Sequence, residues 1–118
     1  MKSVFAALAV AGALALSAAP ALAAGAFAVD TERGQAAGDE GYGIGWGDSR
    51  EEAGREALRE CRKAGNDNCQ VVARFDSCGA YVSSRTKYGV GWGSTKEDAK
   101  AMAFDNCPNC RLVLAECE

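Results

Sequence analysis

The sequence contains no histidine. The commonest general base is therefore missing, and with it the usual histidine-centred dyads and triads. Basic clusters are missing too. The longest run of positive charge is Arg62-Lys63, and the formal net charge is -3. Such a chain lacks the electrostatic footprint of a nucleic-acid or anionic-lipid binder. The apolar run from Val4 to Leu16 is short for a bilayer span. No cluster of basic residues follows it to stop transfer.

What stands around that run gives it a different meaning. Lys2 precedes it and Ala21-Leu22-Ala23 follows it. Charged, apolar and small-residue regions in that order describe a secretory signal peptide, against the competing reading of a membrane anchor. Residues 1–23 are thus expected to be the signal, with residues 24–118 a single exported domain, periplasmic or secreted, with no transmembrane segment. No cysteine lies directly after the cut to carry a lipid. About 95 residues make one small domain, which buries a modest core and often relies on cross-links. All six cysteines, Cys61, Cys69, Cys78, Cys107, Cys110 and Cys117, lie in this part. An even count in a small exported chain reads as a disulfide framework.

The exported part is written twice. Y-G-I-G-W-G-D-S-R-E-E-A-G-R-E-A-L-R-E-C (42–61) aligns without a gap on Y-G-V-G-W-G-S-T-K-E-D-A-K-A-M-A-F-D-N-C (88–107). G-A-F-A-V opens the first copy at Gly25, and G-A-Y-V-S opens the second at Gly79. C-Q-V-V-A-R-F and C-R-L-V-L-A-E follow from Cys69 and Cys110. The repeats are placed at 25–77 and 78–118, each reading strand, strand, helix, strand. First strands are expected at Ala26–Val29 and Ala80–Ser84, second strands at Tyr42–Trp46 and Tyr88–Trp92. Helices start at the capping boxes Ser49-x-x-Glu52 and Thr95-x-x-Asp98. Their buried stripes, Ala53, Ala57, Leu58, Cys61 and Ala99, Ala103, Phe104, Cys107, are expected to carry the packing. Third strands follow near Gln70–Phe75 and Arg111–Glu116. The copies differ most in the Gly/Ala/acid-rich loop Thr31–Glu40, a place where function could lie. If that loop is the contact, deleting it should abolish binding and leave stability nearly unchanged.

The glycine-rich strands invite a phosphate-binding reading. Period-two alternation instead puts Gly43, Gly45 and Gly47 on one face and Tyr42, Ile44 and Trp46 on the other, with the same split at 88–93. An all-glycine face allows another backbone to come very close or the strand to bend. The loop has no lysine and no P-loop ending, and Glu51, Glu52, Glu97 and Asp98 in the first helical turns would repel an anion. The glycines read as architectural.

Cys107-Pro-Asn-Cys110 invites a redox reading, and paired thiolates invite zinc. Cys107, however, sits at a helix C-terminal end, where the dipole opposes a thiolate. The first copy spaces its matching pair, Cys61 and Cys69, more widely. Variable spacing suits a staple from helix end to strand start. The expected bridges are Cys61–Cys69 and Cys107–Cys110, which leaves Cys78–Cys117 to tie the copies together. No metal and no cofactor is expected.

No nucleophile, base and oxyanion site assemble in the sequence, so no catalytic residue is assigned. Asp39/Glu40, Glu51/Glu52 and Glu97/Asp98 are explained as solvated or capping carboxylates. A secreted or periplasmic enzyme using carboxylate or thiol chemistry is the alternative to the favoured reading. That reading is a non-enzymatic module binding a protein or an envelope component such as a glycan. Tyr42, Trp46, Tyr88 and Trp92 are the candidate contacts, with Tyr81 behind them; core packing is the competing role for all of them.

The two Y-G-x-G-W-G strands, the helices ending at Cys61 and Cys107, the C-Q-V-V-A and C-R-L-V-L strands and the C-G-A-Y junction at Cys78 resemble the bacterial family called domain of unknown function 4189. The resemblance spans Gly25–Cys117. It implies a small exported protein and carries over no reaction. The expected fold is α+β: two ββαβ units, each a small, mostly antiparallel sheet with one helix, stapled by disulfides. In each unit the third strand should run parallel to the second and antiparallel to the first.

Overall fold

The computed structural model describes residues 24–31 and 41–118. The expected signal peptide and residues 32–40 of the first hairpin loop lie outside the described residues. Those described form β1 (Ala24–Asp30), β2 (Tyr42–Gly47), α1 (Arg50–Lys63), β3 (Cys69–Phe75), β4 (Cys78–Ser83), β5 (Tyr88–Gly93), α2 (Lys96–Asn106) and β6 (Arg111–Cys117).

Two three-stranded sheets result, ordered β2-β1-β3 and β5-β4-β6, with antiparallel pairs throughout. The first strand of each unit is central, so its two outer strands run parallel to one another. This is the expected α+β pair of ββαβ units, and the duplication reaches the irregularities. A register shift falls between Phe27 and Ala28 on β1, and between the matching Tyr81 and Val82 on β4.

Local chemistry starts both helices in the same way. Ser49 and Thr95 hold extended backbone, and their hydroxyl oxygens accept from the amides of Glu52 and Asp98 at 3.1 and 3.0 Å. Each cap satisfies a donor that the first turn leaves unpaired. Glu52 Oε1 in turn accepts from the Asp48 amide at 3.0 Å. After Ala64, Gly65 takes φ 96°, a left-handed turn that glycine adopts without steric cost and that ends α1.

Each central strand is buried on both faces, which explains its apolar composition. One face of β1 sets Ala24, Ala26 and Ala28 against Ala53, Ala57 and Cys61 of α1. In the second unit Cys78, Ala80 and Val82 meet Ala99, Ala103 and Cys107. The opposite faces join the two sheets through Phe27, Val29, Ala73, Phe75, Tyr81 and Leu114, with Ile44, Trp46 and Val90 packed around them. The layers are therefore helix, sheet, sheet, helix. The helical stripes bury each helix on its own sheet, and no helix residue belongs to the cluster between the sheets.

Three disulfides fasten this arrangement: Cys61–Cys69, Cys107–Cys110 and Cys78–Cys117. The first two clip a helix end to the strand that follows it. The third differs from expectation in its role. Cys78 begins β4 and Cys117 ends β6, and the two are direct cross-strand partners. This bridge closes the second sheet on itself and does not tie the copies together. The reason is the short turn after Phe75, which delivers Cys78 into the second unit. It closes the longest loop, a sequence separation of 39 against 3 for Cys107–Cys110. Chain entropy makes its contribution roughly twice that of the shortest bridge.

Candidate functional site

The glycine faces of β2 and β5 are occupied by helix backbone. A Cβ built on Gly43 would lie 2.5 Å from the Ala57 carbonyl oxygen, and one on Gly89 would lie 2.6 Å from that of Ala103. No room remains there for a phosphate. The glycines exist so that α1 and α2 can lie directly on their strands, which alanine-faced helices then fill.

The four aromatic residues expected as contacts fall into three separate clefts. Tyr42 and Trp46 line one of about 500 Å³ along the β2 edge, facing Glu56 and Glu60 of α1 and Ala64 just after it. Tyr88 borders a second, of about 230 Å³, beside Thr31, Arg85 and Lys87. Its ring tilts against that of Tyr81 with centroids 5.6 Å apart. Trp92 stands in a third, of about 310 Å³, with Arg50, Arg74, Phe75, Asp76 and Ser94. Tyr81 itself is buried between the sheets, and Trp46 is half-buried with its ring edge-on to Phe75.

The third cleft lies at the junction of the units, and it exists because the repeat is imperfect. In the first unit Gly25 stands between Trp46 on β2 and Phe75 on β3. In the second, Gly79 stands between Trp92 and Glu116. Phe75 fills the space over both glycines: Cβ atoms built on Gly25 and on Gly79 would each collide with its ring. Glu116 offers Trp92 no such ring to pack on, and the Trp92 side chain remains 51% exposed. A large half-exposed aromatic in a cleft between packed units is a common setting for ligand recognition.

Polar groups beside Trp92 come from the first unit. Arg50 donates from Nε and Nη2 to the two oxygens of Asp76 at 3.0 and 2.9 Å, a fork-on-fork pair. The hydrogen bond to Arg50 holds the Asp76 carboxyl below its ordinary value, and the same bond raises that of Arg50. Arg74 donates from Nε to the Arg50 carbonyl at 3.3 Å, the one hydrogen bond of its side chain among the described residues. Its guanidinium lies across Gly54, where a Cβ would come within 2.8 Å of Nη2. Gly54 costs helix stability, about 1 kcal/mol against alanine, and leaves a flat seat for that cation.

The Arg50–Asp76 pair has a defined pH signature. A depressed aspartate contributes stability above the unfolded-state value, and loses it as pH falls through the folded-state value. Both side chains are exposed, so the effect on stability is small. Arg50→Ala is expected to raise the Asp76 titration midpoint toward that of a free aspartate, measured by carboxyl NMR. An unchanged midpoint would mean that the pair does not persist in solution.

A family model described as Domain of unknown function (DUF4189) matches residues 24–117. The chain belongs to this family. Neither the curated proteins nor the solved structures supply a match. Membership of DUF4189 brings no catalytic residues, so the chemistry of this DUF4189 protein must be read from its own side chains. All six cysteines are in disulfides. Among the described residues no group of three or more Cys, Asp or Glu could hold a metal, and no helix is long and apolar enough to cross a membrane. Sequence reasoning missed Arg50, Arg74 and Asp76. The only signal for Arg74 and Asp76 was their lack of counterparts, since Ala115 and Cys117 occupy the matching places, whereas Arg50 is matched by Lys96.

Proposed function

We propose that this DUF4189 protein is exported, catalyses no reaction, and binds an envelope glycan in the junction cleft. The observation that carries the proposal is the half-exposed Trp92 beside the Arg50–Asp76 fork. A flat indole suits the C–H face of a sugar ring, and planar charged side chains at its border suit the ring hydroxyls. Arg74 adds a cation for a carboxylated sugar. The disulfides suit an oxidising compartment. The ordered charge and hydropathy of residues 1–23 supply a route there, and leave residues 24–118 as the working domain, repeated at 25–77 and 78–118.

The test is sedimentation with purified, insoluble peptidoglycan. The disulfide-intact protein is expected to pellet with it, and Trp92→Ala to bind at least tenfold more weakly. That factor corresponds to losing about 1.5 kcal/mol of aromatic contact. Equal pelleting of the two proteins, or none by either, would remove the glycan reading and return attention to a protein partner.

A further inference from the structure

β2 and β5 are matching edge strands, yet their outer edges are finished differently. In the second unit Nδ2 of Asn106 donates to the Val90 carbonyl oxygen at 2.9 Å. That bond requires the carbonyl to point away from β4. In an antiparallel ladder the N–H and C=O of one residue point the same way, and alternate residues share that direction. Tyr88, Val90 and Trp92 therefore turn their backbone groups outward. Asn106 closes the middle of that edge.

The first unit repeats the strand without the cap. Ile44 opposes Phe27 as Val90 opposes Tyr81, so its backbone groups also face outward. The residue before Cys61, in the place of Asn106, is Glu60. An ionised carboxylate has no proton to donate to a carbonyl. Among the described residues no strand pairs with this side of β2 and no side chain donates to the Ile44 carbonyl. The 500 Å³ cleft runs along this open edge, with Glu56 and Glu60 on its helical wall. Among the described residues those carboxylates form ion pairs only with exposed neighbours on their own helix, Arg59 and Lys63. Exposed pairs of that kind are weak and leave the acids able to accept a new cation.

We propose that the β2 edge takes an extended basic peptide as a fourth strand of the first sheet. An unpaired edge is a template for a further strand, with main-chain bonds giving affinity and alternate side chains giving specificity. Alternation sets the sequence that fits. One set of incoming side chains would lie over the helical wall, where lysine or arginine meets Glu56 and Glu60. The other set would lie over Tyr42, Ile44 and Trp46, where apolar side chains fit. Acidic peptides are rejected by the same wall. This site is independent of the Trp92 cleft, and the two can fail separately.

The experiment titrates the full, disulfide-intact protein with acetyl-KVKVKV-amide by calorimetry at low salt, with acetyl-EVEVEV-amide as the control. We expect one basic peptide bound per chain, weakening as salt is raised, and no binding of the acidic one. Glu60→Ala removes the charge alone and should weaken binding several-fold. Glu60→Asn also places a donor over the Ile44 carbonyl, copying the closed edge of the second unit, and should weaken it at least tenfold. On an exposed helical position both variants should keep the wild-type circular dichroism. Hydrogen exchange should slow at the Tyr42, Ile44 and Trp46 amides when the basic peptide is added. Lack of binding, equal binding of the acidic peptide, equal affinity of Glu60→Asn and Glu60→Ala, or protection at another edge would each overturn the proposal.

Discussion

Gly45→Val is expected to prevent native folding at 25 °C, with a cost of about 4 kcal/mol or more. Gly45 lies under the middle of α1. Its Cβ would press on the Ala57 amide nitrogen and the Ala53 carbonyl oxygen, and sit 2.8 Å from the Glu56 carbonyl carbon. A side chain in that position could swing aside, but backbone cannot. The helix has little freedom to lift as a whole. Ser49 caps one end beside β2, and the Cys61–Cys69 bridge holds the other to β3. Lifting it would also expose Ala53, Ala57 and Cys61, the buried helical side of that core, and Leu58 packed against it. The loss takes most of the stability that a small domain has. Gly65→Ala is the matched control. Nothing lies within 4 Å of its Cβ, so only the left-handed backbone is penalised, by about 1 kcal/mol. Urea unfolding followed by circular dichroism separates the two. A Gly45→Val protein within about 1 kcal/mol of wild type would mean that α1 does not rest on β2.

The ββαβ units were legible because their signals are local and were given twice. A capping residue, a period of two and a glycine face each act within a few residues, and the second copy repeats every one. What joins the units was not legible. From Ala24 to Val29 β1 is apolar on both faces, with alanines on one side and Phe27 and Val29 on the other, and periodicity cannot say which side meets a helix and which meets a sheet. The all-glycine strand faces announced a close approach without naming the backbone that makes it. Strand limits slipped for a related reason: β1 begins at Ala24, where small residues with weak strand preference are held by burial alone.

The candidate clefts arise where the copies disagree. Phe75 against Glu116, and Glu60 against Asn106, are visible as mismatches once the repeat is aligned. Their meaning depends on strand order and on the direction of a carbonyl, and these are tertiary facts. The same holds for the aromatic contacts. Tyr42, Trp46, Tyr88 and Trp92 look equivalent in sequence, yet edge position and one neighbouring ring divide them among three surfaces. Arg50 and Asp76 lie 26 residues apart and meet only because α1 begins beside the end of β3.

Phe75→Ala is expected to cost about 3–5 kcal/mol and to loosen one unit from the other. The ring is 1% exposed and lies over both Gly25 and Gly79, so it occupies the space on each side of the sheet interface. It contacts Phe27 at 4.9 Å and Trp46 at 5.8 Å between centroids. Gly25 and Gly79 carry no side chains that could fill the vacated volume, so any relaxation falls to neighbouring rings such as Phe27 and Trp46. The second unit keeps its own Cys78–Cys117 and Cys107–Cys110 bridges, and so retains its closure when the interface weakens. Unfolding should then lose cooperativity, because the apolar cluster that couples the two sheets has lost one of its buried rings. Trp46 reports the change directly. In a Trp92→Phe background, half-buried Trp46 should be quenched by acrylamide more strongly in Phe75→Ala than when Phe75 is present. A small drop in melting temperature with the quenching of Trp46 unchanged would show that the sheets meet through other residues.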